Sequence, residues 1–497
     1  MIVATTSGTD ISVAHTQTCD VVIVGSGPAG AAAARTLSRA GASVVVVEEG
    51  GVANSGETDG FTAMADLYRD MGASVTSGRA PSPYVQGRAV GGGSVVNGAI
   101  SWRLPHGVHQ EWLRSDGALE QTLDWASLEA ITTQIERDLN IAPTDPSLAG
   151  PNNLLLARGA EALGLAHRPI ARNVRNCEGR GQCLQGCPIG AKMSMDLTYL
   201  RDAADQGARI VSSCRAQRVL VERGRVRGIQ AIAEGGGQVT VHAERVVLAA
   251  SAIQTPLLLM DSGLTQGPVG RYFQCHPGIS VTGRFADPVR MWTGATQGHE
   301  VTGLVSEGIK FEALGFDMAV LASRVSGVGS ALASGIADFA HLATWGAAIR
   351  AEAHGRVQRG WWGTRRVRFD MTPHDALRVR RGVSVLGKML LAAGADWVAL
   401  GVHGWPDRIH SSQELDRFAH EGPRDLRAYA SVITHMFGTC RMGSRPEDSV
   451  VDPRGQHHHV KGLYVVDSSV FPTNTGVNPQ TSILAVATAL ATAMVSS

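Results

Sequence analysis

The stretch Cys19-Asp20-Val21-Val22-Ile23-Val24-Gly25-Ser26-Gly27-Pro28-Ala29-Gly30 constrains the fold more than any other part of the chain. A run of β-branched residues ends in a glycine-rich turn and opens into the alanine-rich segment 31–37. That order reads as strand, tight turn, helix. Gly25 permits the turn, Gly27 lets backbone approach a pyrophosphate, and Gly30 lets helix and strand pack closely. The phosphates would sit on the free N–H groups at the positive end of the helix dipole. A second strand, residues 43–47, ends at Glu48-Glu49. An acid at that point, about 20 residues beyond the turn, is placed to accept hydrogen bonds from a ribose. The pattern predicts an α/β domain of Rossmann type that holds an adenosine diphosphate moiety.

A chain of 497 residues has room for two domains. Its 45 basic and 44 acidic residues leave a net charge of +1. Net charge therefore makes no case for nucleic acid or an anionic membrane as partner. Residues 1–17 lack a basic n-region and an apolar core, which predicts a loose arm rather than a secretory signal. No apolar run reaches the roughly 20 residues of a membrane span. Seven cysteines without a signal point to a reducing, cytoplasmic setting.

Further on, Gly87-Arg88-Ala89-Val90-Gly91-Gly92-Gly93-Ser94-Val95-Val96-Asn97-Gly98 leads to Ser101-Trp102-Arg103. Consecutive glycines let backbone lie against a flat ligand. Taken with the dinucleotide motif, G-R-x-x-G-G-G-S-x-x-N-G resembles the glucose-methanol-choline (GMC) family of FAD-dependent oxidoreductases. The resemblance implies that the loop with Gly92 and Ser94 passes along the flavin, and that Asn97 lies near the reactive edge of its ring. It also implies that Val219 offers its backbone to the adenine. Residues 253–264 resemble the family's second signature, although Ser251 stands where a glycine is usual.

Residues 106–163 read as helices with Trp112, Leu113, Leu119, Leu123 and Trp125 as core candidates. Cys177, Cys183 and Cys187 follow in a C-x5-C-x3-C pattern within a glycine-rich loop. Thiolates so spaced can converge on one iron–sulfur cluster, and the alternative is a structural loop of free cysteines. Two branches of the family bear on this choice. Bacterial FAD-dependent sugar dehydrogenases carry a three-iron, [3Fe-4S], cluster on similar cysteines. Long-chain alcohol oxidases have a cysteine-rich loop that runs into a G-x-K and T-[YW]-L pattern like Gly190-Ala191-Lys192 and Thr198-Tyr199-Leu200, with no cluster implied.

Near the C-terminus stand His435-Met436-Phe437-Gly438-Thr439-Cys440-Arg441-Met442-Gly443, then the strand end at Asp467, then Asn478-Pro479-Gln480-Thr481. A neutral imidazole is suited to taking a proton near neutrality. By resemblance, His435 matches the family's catalytic histidine and Asn478 its second active-site position. Asp467 matches the acid that bonds the ribityl–phosphate portion, and Thr481 opens the helix that faces the pyrimidine end. Three adjacent histidines, His457-His458-His459, tempt a metal reading, but neighbours in an extended loop point apart. Cys440 carries no redox role, and His276 with Pro277 reads as loop.

The expected architecture is a Rossmann-like FAD-binding domain (18–105, 204–277, 425–497) interleaved with an α+β substrate domain (106–203, 278–424), whose large, mostly antiparallel sheet is covered by helices. Strands are expected at 278–285, 310–316 and 365–371, helices at 330–353, 375–393 and 412–421. The implied reaction is oxidation of an alcohol CH–OH by hydride transfer to flavin N5, with His435 as base and Asn478 bonding the oxygen. Oxygen, a quinone or a protein would accept the electrons. The cysteine loop and the sparse aromatics lean towards long or bulky hydrophobic alcohols. The alternatives are a sugar or polyol dehydrogenase using an iron–sulfur cluster, a non-redox lyase of the same family, and an FAD-holding structural subunit.

Overall fold

A computed structural model describes residues 3, 5–53, 56, 59–318 and 329–495. Its first layer is an eight-stranded sheet. At its centre lie His15–Val24, Val44–Val47 and Gln238–Leu248, paired in parallel. Arg209–Ser212 extends it on one side, and Leu463–Val465 runs parallel to Gln238–Leu248. An antiparallel pair, Cys214–Glu222 and Arg225–Ala233, completes it. Val21 to Val24 and Val44 to Val47 are all buried, as strands covered on both faces must be.

Helix Pro28–Arg39 packs on this sheet through Ala29, Gly30, Ala31 to Ala34 and Leu37. It starts cleanly because Pro28 occupies the first helical turn, where its missing N–H costs nothing. The C-terminal helix Gln480–Val495 lies beside it, buried through Leu484, Val486, Leu490 and Met494 among others.

The second layer is a nine-stranded antiparallel sheet built around the long strand Arg271–Arg284, which pairs with Leu342–Ile349, Gly355–Arg359, Trp397–Ala399 and Ser431–Phe437. Ile309–Leu314 and His299–Val301 continue it. Helix Pro373–Ala392, opened by a Thr372–Asp375 capping box, covers one face.

Several expectations need correction. The boundary at 277/278 cuts through strand Arg271–Arg284, and Ser431–Phe437 pairs in the second sheet, not the first. The helix expected over 330–353 is α-helical only at Ser330–Ala337, followed by a 3-10 turn at Phe339–His341. Leu342–Ile349 is a strand almost wholly buried on both faces. Such a strand reads as a continuous apolar run, which periodicity cannot tell from a buried helix. The loose arm expected over residues 1–17 contains strand: Thr6–Ser7 pairs with Val211 and Ser212, and the central strand begins at His15. The segment around His276-Pro277 is strand, not loop.

Candidate active site

A cavity of ≈ 2030 Å³ runs between the two sheets. Small-ligand pockets span up to about 1,000 Å³, so this one has room for a large cofactor and a substrate together. Gly25, Gly27, Glu48, Gly92, Ser94, Asn97, Asp467, His435 and Asn478 all line it.

At the dinucleotide end, Gly25 adopts φ +100°, the left-handed region the turn requires. A Cβ on Gly30 would lie 1.9 Å from the Gly25 carbonyl oxygen, so helix and turn can meet only at glycine. A Cβ on Gly92 would come within 2.6 Å of the Gly27 Cα, so the two glycine loops face each other with no room for side chains. Glu48 is buried, and burial pushes its pKa up. Its carboxylate accepts from the Ser26 N–H at 2.9 Å, the Ser26 hydroxyl at 2.7 Å and the Gly50 N–H at 2.8 Å. Glu48 thus pins the glycine turn as well as bordering the cavity.

Asp467 accepts from the Ser251 N–H at 2.9 Å, the Thr255 hydroxyl at 2.6 Å and the Ser469 N–H at 2.8 Å. Ser251 itself sits at φ 87°, a conformation that glycine adopts freely and serine rarely. Asn97 donates to the Gln480 side chain at 2.6 Å. Ser94 donates to the Gly91 carbonyl at 2.6 Å, which holds the loop. At the start of helix Gln480–Val495, Gln480 Nε2 and Thr481 Oγ1 are buried with no partner among the described residues. Buried polar atoms are otherwise paired. Beside the free N–H groups of a first helical turn, they form a polar edge suited to the pyrimidine end of a flavin. The glycine cradle and this orphaned edge fit FAD. Val219 does not join them. Its N–H donates to the Ser262 hydroxyl at 2.8 Å, and a bulge between Ala216 and Arg218 brings Ala216 and Gln217 to the cavity wall instead.

At the opposite end, a bulge sets the chemistry. Cys275 pairs with Met436 and Pro277 with Ile433, leaving His276 alone opposite Thr434 and His435. Pro277 has no N–H for the ladder, so the pairing slips there, and the bulge turns both histidines towards one another. Their Nδ1 atoms are 3.2 Å apart. The Gly476 N–H donates to His276 Nε2 at 2.9 Å. His276 is kept neutral by burial and by the neighbouring His435. Its Nε2 also lies 3.3 Å from Asn474 Oδ1, so its one proton can serve either that oxygen or His435 Nδ1. Burial, then the Lys310 charge, brings the His435 pKa down to about 3, so the ring is neutral across the working pH range.

Lys310 carries no recognised motif, yet it lies at the centre of the site. Its fully buried ammonium donates to Glu312, to Glu300 at 2.8 Å and to Asn478 Oδ1 at 2.7 Å. Glu300 and Glu312 are directly opposite on adjacent strands, so the lysine between them relieves a like-charge pair. Burial alone would raise the Glu300 pKa, but the Lys310 charge, Arg168 and Trp102 hold it low. Because Asn478 accepts through its oxygen, its NH2 is left for another acceptor. The signal for Lys310 is compositional: only Lys192, Lys310, Lys388 and Lys461 are lysines, and the first two are buried.

The three loop cysteines do not form a metal site. No group of three or more His, Cys, Asp or Glu side chains among the described residues could hold a metal, the histidines 457–459 included. The Arg172 guanidinium lies 3.1 Å from Cys183 Sγ and 3.9 Å from Cys177 Sγ, setting a cation against two of the three thiols. Burial would raise the Cys183 pKa, but Arg172 and Lys192 bring it down. Lys192 spends its three donors on the carbonyls of Val95 (2.5 Å), Cys183 (2.7 Å) and Asn97 (3.0 Å), tying the cysteine loop to the glycine loop.

Models of the family described as GMC oxidoreductase match residues 64–278 and 353–487. A model described as pyridine nucleotide-disulphide oxidoreductase matches residues 19–69. The chain is 36% identical over 477 residues to an uncharacterized GMC-type oxidoreductase of Mycobacterium tuberculosis, covering 95% of this chain and 75% of that one. It is 29% identical over 500 residues to a long-chain-alcohol oxidase of Arabidopsis thaliana, covering 94% and 67%. The fold is similar to that of pyridoxine 4-oxidase from Mesorbium loti, with a TM-score of 0.74 at 20% identity over 96% and 99% of the two chains.

Proposed function

The chain belongs to the GMC oxidoreductase family and is an FAD-dependent oxidoreductase acting on CH–OH groups, and from that premise we propose that it oxidises a hydrophobic alcohol with His435 and Asn478 as the acting residues. The observation that carries this is the convergence of both side chains on one cavity that also reaches the glycine cradle. FAD, when bound, supplies the acceptor of the two electrons that leave the alcohol carbon. His435 takes the hydroxyl proton on its unprotonated ring nitrogen. Asn478, turned by Lys310, donates its NH2 to the substrate oxygen and stabilises the charge that develops as the proton leaves. The Lys310 ammonium itself has no N–H left for substrate. It acts on substrate only through Asn478.

A hydrophobic substrate is supported by the apolar walls, which include Trp292, Leu342, Trp397 and Leu400, and by relatives named long-chain-alcohol oxidases. The experiment is an anaerobic titration of the FAD-loaded enzyme with a medium-chain fatty alcohol, glucose and pyridoxine, following the visible flavin band. Bleaching by the fatty alcohol first is expected. Bleaching by glucose alone would move the substrate to the polyols. A band that no alcohol bleaches would favour the lyase or the structural subunit.

A further inference from the structure

Two neighbouring indoles are the most exposed large apolar side chains among the described residues: Trp361 at 87% and Trp362 at 97%. They form the tip of a hairpin whose strands are Gly355–Arg359 and Arg365–Arg368. This stretch holds five arginines and no acid. Three features of it are unfavourable within the molecule. Arg356 pairs directly across from Arg368, and Arg359 from Arg365, and like charges facing across a ladder destabilise it. Both indoles are in water. Trp362 has φ 62°, which a bulky side chain adopts only under constraint.

Val357 and Val367 face the core, so Arg356, Gln358, Arg366 and Arg368 share the outer face. Arg356 and Arg366 make no ion pair among the described residues, and Arg368 is only 3.8 Å from Asp370. On the inner side Arg359 pairs with Asp261 and Arg365 with Asp70. Arg359 and Arg365 also line the cavity of the candidate active site. Beside the hairpin, Met71 and Val75 are exposed as well, Met71 again in a left-handed conformation. Aromatic tip, basic outer face and part of the cavity wall thus occur together.

We propose that this hairpin docks the protein on an anionic phospholipid surface. Indoles prefer the headgroup–acyl boundary of a bilayer, and basic residues near the surface are attracted by anionic lipid within a Debye length. The outer arginines meet lipid phosphates, and Trp361 and Trp362 enter the boundary. The overall charge of +1 hides this because the excess is local. The absence of any acid in residues 355–368 fits an anionic surface.

The test needs no catalysis, so it can fail independently of the proposed reaction. The FAD-loaded protein is sedimented with vesicles of phosphatidylcholine, or of phosphatidylcholine with phosphatidylglycerol. The variants are the double substitution Trp361→Ser with Trp362→Ser, and the triple substitution of Arg356, Arg366 and Arg368 by Glu. Unchanged melting and flavin absorbance establish that each variant is folded. Binding to the anionic vesicles is expected, falling at least about tenfold in either variant and in about 0.5 M salt. No binding to anionic vesicles, or binding that both variants retain, overturns the proposal. So does concentration-dependent dimerisation that the tryptophan variant abolishes while vesicles are ignored, since that would assign the tip to a second copy.

Discussion

Ser251 shows how one residue can carry a cost that the site requires. Its φ of 87° is held by the Asp467 carboxylate on its N–H and by Gln86, whose side chain donates to its hydroxyl at 2.8 Å. Ser251→Gly should stabilise the protein by about 1 kcal/mol, the lower end for a non-glycine residue in this region. Denaturant unfolding measures it, and a destabilised variant would mean that the Gln86 bond outweighs the strain. For His435→Ala, FAD should remain bound while reduction by alcohol slows at least about 10²-fold, the lower end for acid–base catalysis. Stopped-flow bleaching reports this, and Asn478→Ala should be impaired similarly; wild-type rates would remove either residue from the mechanism. Lys310→Met leaves Glu300 and Glu312 facing each other without their cation. A loss of about 3–5 kcal/mol is expected, as for a broken buried ion pair, and a thermal midpoint equal to wild type would contradict it.

At the scale of elements, the glycine turn and the histidine bulge are opposites. The turn between Val24 and Pro28 was legible because each glycine answers a local steric demand. Gly30→Ala should yield protein without bound flavin, since the new methyl would meet the Gly25 carbonyl at 1.9 Å. Flavin absorbance of the purified variant checks this, and full occupancy would show that helix Pro28–Arg39 can shift. The bulge was not legible as a partner for His435, because His276 and His435 are 159 residues apart. His276-Pro277 read as loop, and which strand lay opposite was hidden. The cysteine loop was left open between a cluster and a structural loop for a related reason. Spacing shows that three sulfurs can converge, and Arg172, five residues before Cys177, is what occupies the space between two of them. Lys192 in turn explains the G-x-K stretch as a clamp on three carbonyls.

Across the described residues, burial lowers the pKa of six histidines, among them His276, His354 and His458. Burial lowers the pKa of His435 to about 3, of His299 to about 4 and of His457 to about 4. Each folded value lies below the unfolded one of about 6.5, so below that pH the unfolded chain binds more protons. The stabilisation is complete above about pH 6.5 and is lost progressively as pH falls towards 4. Thermal midpoints should therefore decline from about pH 6.5 downward, before the exposed carboxylates titrate; a midpoint flat to about pH 5 would be inconsistent with these burials. The sequence by itself determined the dinucleotide fold and the glycine cradle, because strand, turn and helix-start signals are local and act within a few residues, whereas His435 and Asn478 were named through the resemblance to the family. Only the tertiary structure decided what surrounds them: His276 across a bulge, Lys310 between two carboxylates, Arg172 among the cysteines, and arginines gathered under two exposed tryptophans. Those pairings depend on which strands lie side by side, and local chain chemistry carries no record of that.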